Sequence, residues 1–160
     1  MTDRSEQAEE KRDETQPERL DRNTVELLNE LRVAGAGVQV MFAFLLVVPF
    51  NQGWKHVDGF EKIVYFATLL IVALGAFLLL APPIHHRLLF RRGEKQFLVE
   101  IGNYMAVAGM ICVGLGFVGI LILISDVAIG GAAPAIVGIL AAAVLSGLWF
   151  AIPLLRREEE

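Results

Sequence analysis

The sequence predicts an all-α integral membrane protein. Its expected architecture is four transmembrane helices forming two antiparallel hairpins, preceded by a cytoplasmic amphipathic helix and a disordered N-terminal tail. Three observations predict it. Of the 160 residues, 55% are hydrophobic, above the roughly 45–50% of soluble domains. These residues fall in four continuous runs, where barrel strands would alternate. The charged residues are gathered in the tail, the loops and the C-terminus.

The tail is expected to span residues 1–20. MTDRSEQAEEKRDETQPERLDR has almost no apolar side chains. It cannot bury enough surface to offset the entropy of ordering it. Residues 1–32 hold six basic and ten acidic side chains, so the tail is no basic nucleic-acid arm, and no nucleic-acid partner is expected. The transmembrane domain is expected over residues 21–155, and a charged tail over 156–160. The first apolar run begins more than thirty residues in. The first span should therefore serve as its own uncleaved anchor.

Residues 23–32, NTVELLNELR, read as a juxtamembrane amphipathic helix. Asn23 and Glu26 have capping-box spacing. Val25, Leu28 and Leu31 share one face with Leu27 beside it, while Glu26, Asn29, Glu30 and Arg32 largely occupy the other. That face suits a membrane surface, a partner helix, or the protein's own cytoplasmic loop.

Crossing about 30 Å of hydrocarbon takes about 20 helical residues. The spans are expected near 33–50, 63–81, 97–124 and 132–155. Pro49 with Asn51-Gln52-Gly53-Trp54 makes the first turn. Pro82-Pro83 is expected to stop the second helix, because proline lacks an N–H and restricts the residue before it. Gly130-Gly131 and Pro134 separate the third helix from the fourth.

Orientation follows from the loop charges. Twelve of the fourteen basic residues fall in the tail, the middle loop and the C-terminus, leaving Lys55 and Lys62 on the other side. Basic residues remain cytoplasmic. The expected location is therefore the cell inner membrane, with multiple passes and both termini cytoplasmic. Trp54 and Tyr65 would mark the outer interface, and Trp149 the inner one.

Membrane helices meet through small residues. Ala108, Cys112 and Gly116 in the third span and Gly138, Ala142 and Ser146 in the fourth recur every four residues. They are expected to pack these spans together, with a homo-oligomer as a second use of such faces.

The middles of all four spans lack Asp, Glu, Lys, Arg and His. The polar candidates are Gln39, Asn103 and Ser146, expected at similar depth and in mutual contact. His85 and His86 precede Arg87 with no Cys or carboxylate at ligand spacing, so no metal is expected. Cys112 has no disulfide partner. Asp58 with Glu61 and Glu94 with Glu100 have nothing apolar around them to tune acid–base chemistry. No enzyme and no cofactor are expected.

ELLNELRVAGAGVQVMFAFLLVVPF (Glu26 to Phe50), followed by HRLLF (His86 to Phe90), resembles a family of small bacterial membrane proteins catalogued as a domain of unknown function. The similarity covers roughly residues 24–155. It implies a four-helix inner-membrane protein with no established activity. It also implies that any site lies where the helix-to-span junction meets the end of the second span, with Glu30, Arg32, Gln39, His86 and Arg87 as candidates. An Arg–Glu pairing there would give these residues a structural role.

The functional expectation is a non-enzymatic scaffold or regulator. Its partners would be the lipid bilayer and a membrane or cytoplasmic protein, engaged through the juxtamembrane helix and the middle loop. The alternative is a small transporter or channel subunit working as an oligomer.

Overall fold

The computed structural model describes residues 15–89 and 95–151. They form four α-helices: α1 (Gln16–Val47), α2 (Gly59–Leu89), α3 (Lys95–Ala128) and α4 (Ala133–Ser146). No strand occurs among the described residues. The first three helices are long and apolar enough to span a membrane. Large hydrophobic side chains such as Phe44, Phe66, Phe77 and Leu88 point outward, as expected where lipid replaces water as the solvent.

Helix α1 starts earlier than the sequence pattern suggests. Thr15 is its N-cap. The Thr15 backbone N–H and hydroxyl both donate to the Glu18 carboxylate, at 2.9 and 2.6 Å. Asn23 and Glu26 lie within the helix and are no cap. Glu26 instead pairs with Arg22 one turn back, at 3.8 Å. Residues 16–20, expected in the disordered tail, are helical; residues 1–14 and 156–160 lie outside the described residues. The juxtamembrane helix and the first span are one 32-residue helix, about 48 Å long at 1.5 Å per residue. Leu27 and Leu31 turn toward the helical core.

The second correction concerns Pro82 and Pro83. Both sit inside α2, which continues to Leu89. They remove the N–H groups that would bond the Leu78 and Leu79 carbonyls. Pro82 is buried against α3 near Gly102. A β-carbon on Gly102 would stand 3.5 Å from the Pro82 β-carbon and 2.8 Å from Leu27 Cδ2. The glycine makes room for Leu27 rather than for the proline ring, and membrane helices carry proline because their surroundings and local adjustment re-satisfy the freed backbone groups.

Helices α2 and α3 make the tightest pairing, across the expected boundary between two hairpins. The buried residues of α2 are Tyr65, Thr68, Val72, Gly75, Leu79 and Pro82. Their spacing alternates three and four, the period of interlocking helices. On α3 the matching series is Gly102, Ala106, Gly109, Gly116 and Gly119. Thr68 abuts Gly119, Val72 abuts Gly116, Gly75 abuts Cys112 and Leu79 abuts Gly109, so the two helices run antiparallel. The Ala108-Cys112-Gly116 face thus serves α2, where α4 was expected. Gly114 and Gly138 make the α3–α4 contact, against Leu145 and Ile122. Among the described residues α1 touches both α2 and α3, while α4 touches only α3.

The α3–α4 turn needs its glycines. Gly130 and Gly131 have φ of 73° and 63°, where a β-carbon is strained. Helix α4 has 14 residues and passes into a π turn, Gly147–Ala151. Its α-helical part rises only about 21 Å, short of the expected 132–155 span. Residues 152–155 lie outside the described residues.

Candidate functional site: a groove between the first and third helices

The sequence-predicted polar residues do not assemble. Gln39, Asn103 and Ser146 are all exposed. Helices α1 and α4 make no contact, so Gln39 and Ser146 cannot meet, and no hydrogen bond joins the three. Each chosen position faces away from its neighbours. Gln39 adjoins buried Val38 in sequence but lies about 100° around the helix from it.

The second expected cluster is near but unlinked. Leu27, Pro82 and Gly102 meet, which brings residues 30–32, 86–87 and 103 to one end of the molecule. Glu30, Arg32 and Arg87 are exposed there and His86 is half-buried. No Arg–Glu pair crosses the junction among the described residues; the pair present is Arg22–Glu26 within α1. Next to this cluster, His85 buries its Nδ1 with no hydrogen-bond partner among the described residues. Arg91, Arg92 and Glu94 of the middle loop lie outside the described residues. No group of three metal-ligating side chains occurs among the described residues.

The structure instead opens a site at the opposite end. A groove of about 1020 Å³ lies between the second half of α1 and the second half of α3. Val40, Phe44 and Val47 form one wall, and Phe117, Ile124 and Val127 the other. Trp54 and Tyr65 close its end.

That end is held together by identifiable contacts. Pro49 follows the last turn of α1 and cannot donate the hydrogen bond that the Leu45 carbonyl would receive in a continued helix. The Tyr65 hydroxyl donates to this carbonyl at 2.9 Å, beside the shorter-range bond from the Val48 N–H. Tyr65 is 2% exposed. Trp54 meets its ring edge-to-face, with centroids 4.8 Å apart and planes at 69°, a favoured aromatic geometry. The chain between them makes two short 3-10 turns, Val48–Phe50 and Gln52–His56. The Asn51 side-chain amide caps α1 by donating to the Val47 carbonyl at 3.2 Å.

Helix α2 then begins with a reciprocal capping box. The Glu61 N–H donates to Asp58 Oδ1 at 2.9 Å, and the Asp58 N–H donates to Glu61 Oε2 at 2.8 Å. Asp58 and Glu61 therefore have a structural task, legible in sequence as an N-cap acid followed three residues later by glutamate. Glu61 also lines the groove. Among the described residues it is the single charged side chain that does so. Sequence reasoning places Trp54 and Tyr65 at an interface and sets Glu61 aside as having nothing apolar around it; the fold of the 51–58 connection instead puts it at the end of an apolar groove.

No curated protein and no solved structure matches the chain at a significant level. A family model does match, over residues 13–153. It takes in all four helices and both walls of the groove. The chain belongs to the family of unknown function DUF6328.

Proposed function

We propose that this is a non-enzymatic membrane protein that works by binding, and that its working surface is the α1–α3 groove. The occupant is a small molecule with an apolar body, drawn from the bilayer. The observation that carries this reading is the groove itself. It is about 1020 Å³, walled by apolar and aromatic side chains, with a few polar groups confined to one end. This is the composition of small-molecule sites.

The sequence expectation of a scaffold acting through the juxtamembrane helix has less to work with. Leu27 and Leu31 are packed against the protein's own core, leaving Val25 as the exposed apolar side chain of that stretch. The transporter reading requires polar groups gathered along a path, and Gln39, Asn103 and Ser146 lie apart. We orient the protein with both termini in the cytoplasm of an inner membrane, because basic residues favour that side. The end of the groove closed by Trp54 and Tyr65 then lies on the outer side.

The test fills the groove. Gly37 lines it, and a β-carbon there meets nothing within 4 Å. A Gly37→Phe variant and the parent protein are purified from native membranes in mild detergent, and their intact masses are compared. A small molecule retained by the parent and lost from a still-folded variant supports the reading. Equal retention by both places the occupant elsewhere and rejects it.

A further inference from the structure

We infer that the groove selects amphiphilic cations: molecules with an apolar chain or ring body and one quaternary or protonated ammonium head. This rests on the binding role proposed above and adds the chemical class of the ligand.

The argument is one of charge and shape. Among the described residues Glu61 is the one charged side chain lining the groove, and no basic residue lines it. One Glu61 oxygen accepts the Asp58 N–H. The carboxylate forms no ion pair among the described residues and is half-buried, so its field is less screened than that of a fully exposed acid. Trp54 stands at the same end, half-buried, and aromatic faces attract ammonium groups. A cation held there extends its apolar body along Phe44 and Phe117. The wall from Gly37 to Val48 on α1 runs about 16 Å at 1.5 Å per residue, the reach of a long alkyl chain or a fused aromatic body. A zwitterionic lipid fits less well, because no lining residue among those described offers a positive charge to its phosphate. An anionic amphiphile would set like charges together.

Glu61 can be neutralised without undoing its structural task. The Glu61→Gln substitution keeps a side-chain oxygen to accept the Asp58 N–H, and capping boxes accept either residue type. The experiment uses the full chain in phosphatidylcholine nanodiscs, with Trp149→Phe so that Trp54 is the sole tryptophan. Trp54 fluorescence is titrated with dodecyltrimethylammonium chloride, with neutral dodecyl maltoside and with anionic dodecyl sulfate. A saturable change is expected, with the cation binding about tenfold more tightly than the maltoside, equivalent to about 1.4 kcal/mol. Glu61→Gln should remove that preference while the maltoside curve and the thermal unfolding profile remain unchanged. Equal binding of cation and maltoside, or an unaltered cation preference in Glu61→Gln, overturns the cation inference and leaves the groove as a general apolar site. Curves that merely follow bulk partitioning for all three amphiphiles, and match those of Gly37→Phe, overturn both the inference and the binding role.

Discussion

Helix α3 faces two different partners, and the contrast explains the molecule. Toward α2 it presents Gly109, Cys112, Gly116 and Gly119; toward the groove it presents Phe117, Ile120, Leu123 and Ile124. On the first face the small residues let the helices close, and Val72 is fully buried, at 0% exposure. On the second, large side chains stand beside Val40, Phe44 and Val47 of α1 and line the groove, while α1 keeps contact with α3 at Leu27–Gly102 and Met41–Gly116. Lipid gives helices little hydrophobic reason to associate, so close packing must come from shape. Where the shape is supplied the pair is dry, and where it is withheld a groove remains.

The strongest way to break this contrast is to put bulk on the closed face. A β-carbon on Gly116 would run into the Val72 side chain, and one on Gly119 into Thr68. Gly116→Leu should therefore destabilise by about 3 kcal/mol or more, at or beyond the upper end of overpacking costs. Thermal unfolding followed by circular dichroism in detergent measures it. A small effect would mean that α2 and α3 do not hold this register.

The next effect is at the end of the groove. Tyr65→Phe removes the hydroxyl that serves the Leu45 carbonyl. The expected loss is about 1 kcal/mol, read in the same unfolding assay, with a loosened Trp54 seen as changed fluorescence anisotropy. Asp58→Ala removes the cap of α2 and should cost about 1 kcal/mol or less, since the site is exposed. Its opposite number, Glu61→Gln, should cost almost nothing in stability.

The smallest effect sharpens the comparison. Gly37 lines the open groove with nothing near its missing β-carbon. Gly37→Ala should shift stability by less than about 1 kcal/mol, and in the stabilising direction, because alanine is the better helix former. A large loss would show that α1 and α3 close together in the membrane.

Orientation has its own test. In a Cys112→Ala background, Lys55→Cys should react with a membrane-impermeant maleimide added to intact cells, and Arg32→Cys should not. The reverse pattern would invert the assignment.

Much of the architecture is legible in the chain. Continuous apolar runs can only be helices in lipid, so α1, α2 and α3 follow from composition. The turn at Gly130-Gly131 follows from two adjacent glycines. The helix ends are less legible. Pro82-Pro83 is a stop signal by local rules, yet α2 runs on to Leu89 with Pro82 buried beside another helix. The start of α1 is ambiguous in sequence because Asn23–Glu26 and Thr15–Glu18 have the same cap spacing, and local sequence does not rank them.

The polar candidates fail for a related reason. Depth can be counted along a helix, but facing depends on which side a neighbour occupies. Gln39 and Ser146 stand near the level of Gly114 on α3 but on helices that do not touch, and Asn103, beside Gly102, lies about eleven residues away along α3. By itself the sequence determined the solvent this protein lives in, its helices and its small-residue surfaces, because these follow from hydropathy and side-chain size. The tertiary structure alone decided that α2 fills the glycine face of α3 and that α1 stands off its large-residue face. It also brought Glu61, Trp54 and Tyr65 to one end of the space left between them, because a groove belongs to two helices and is written in neither.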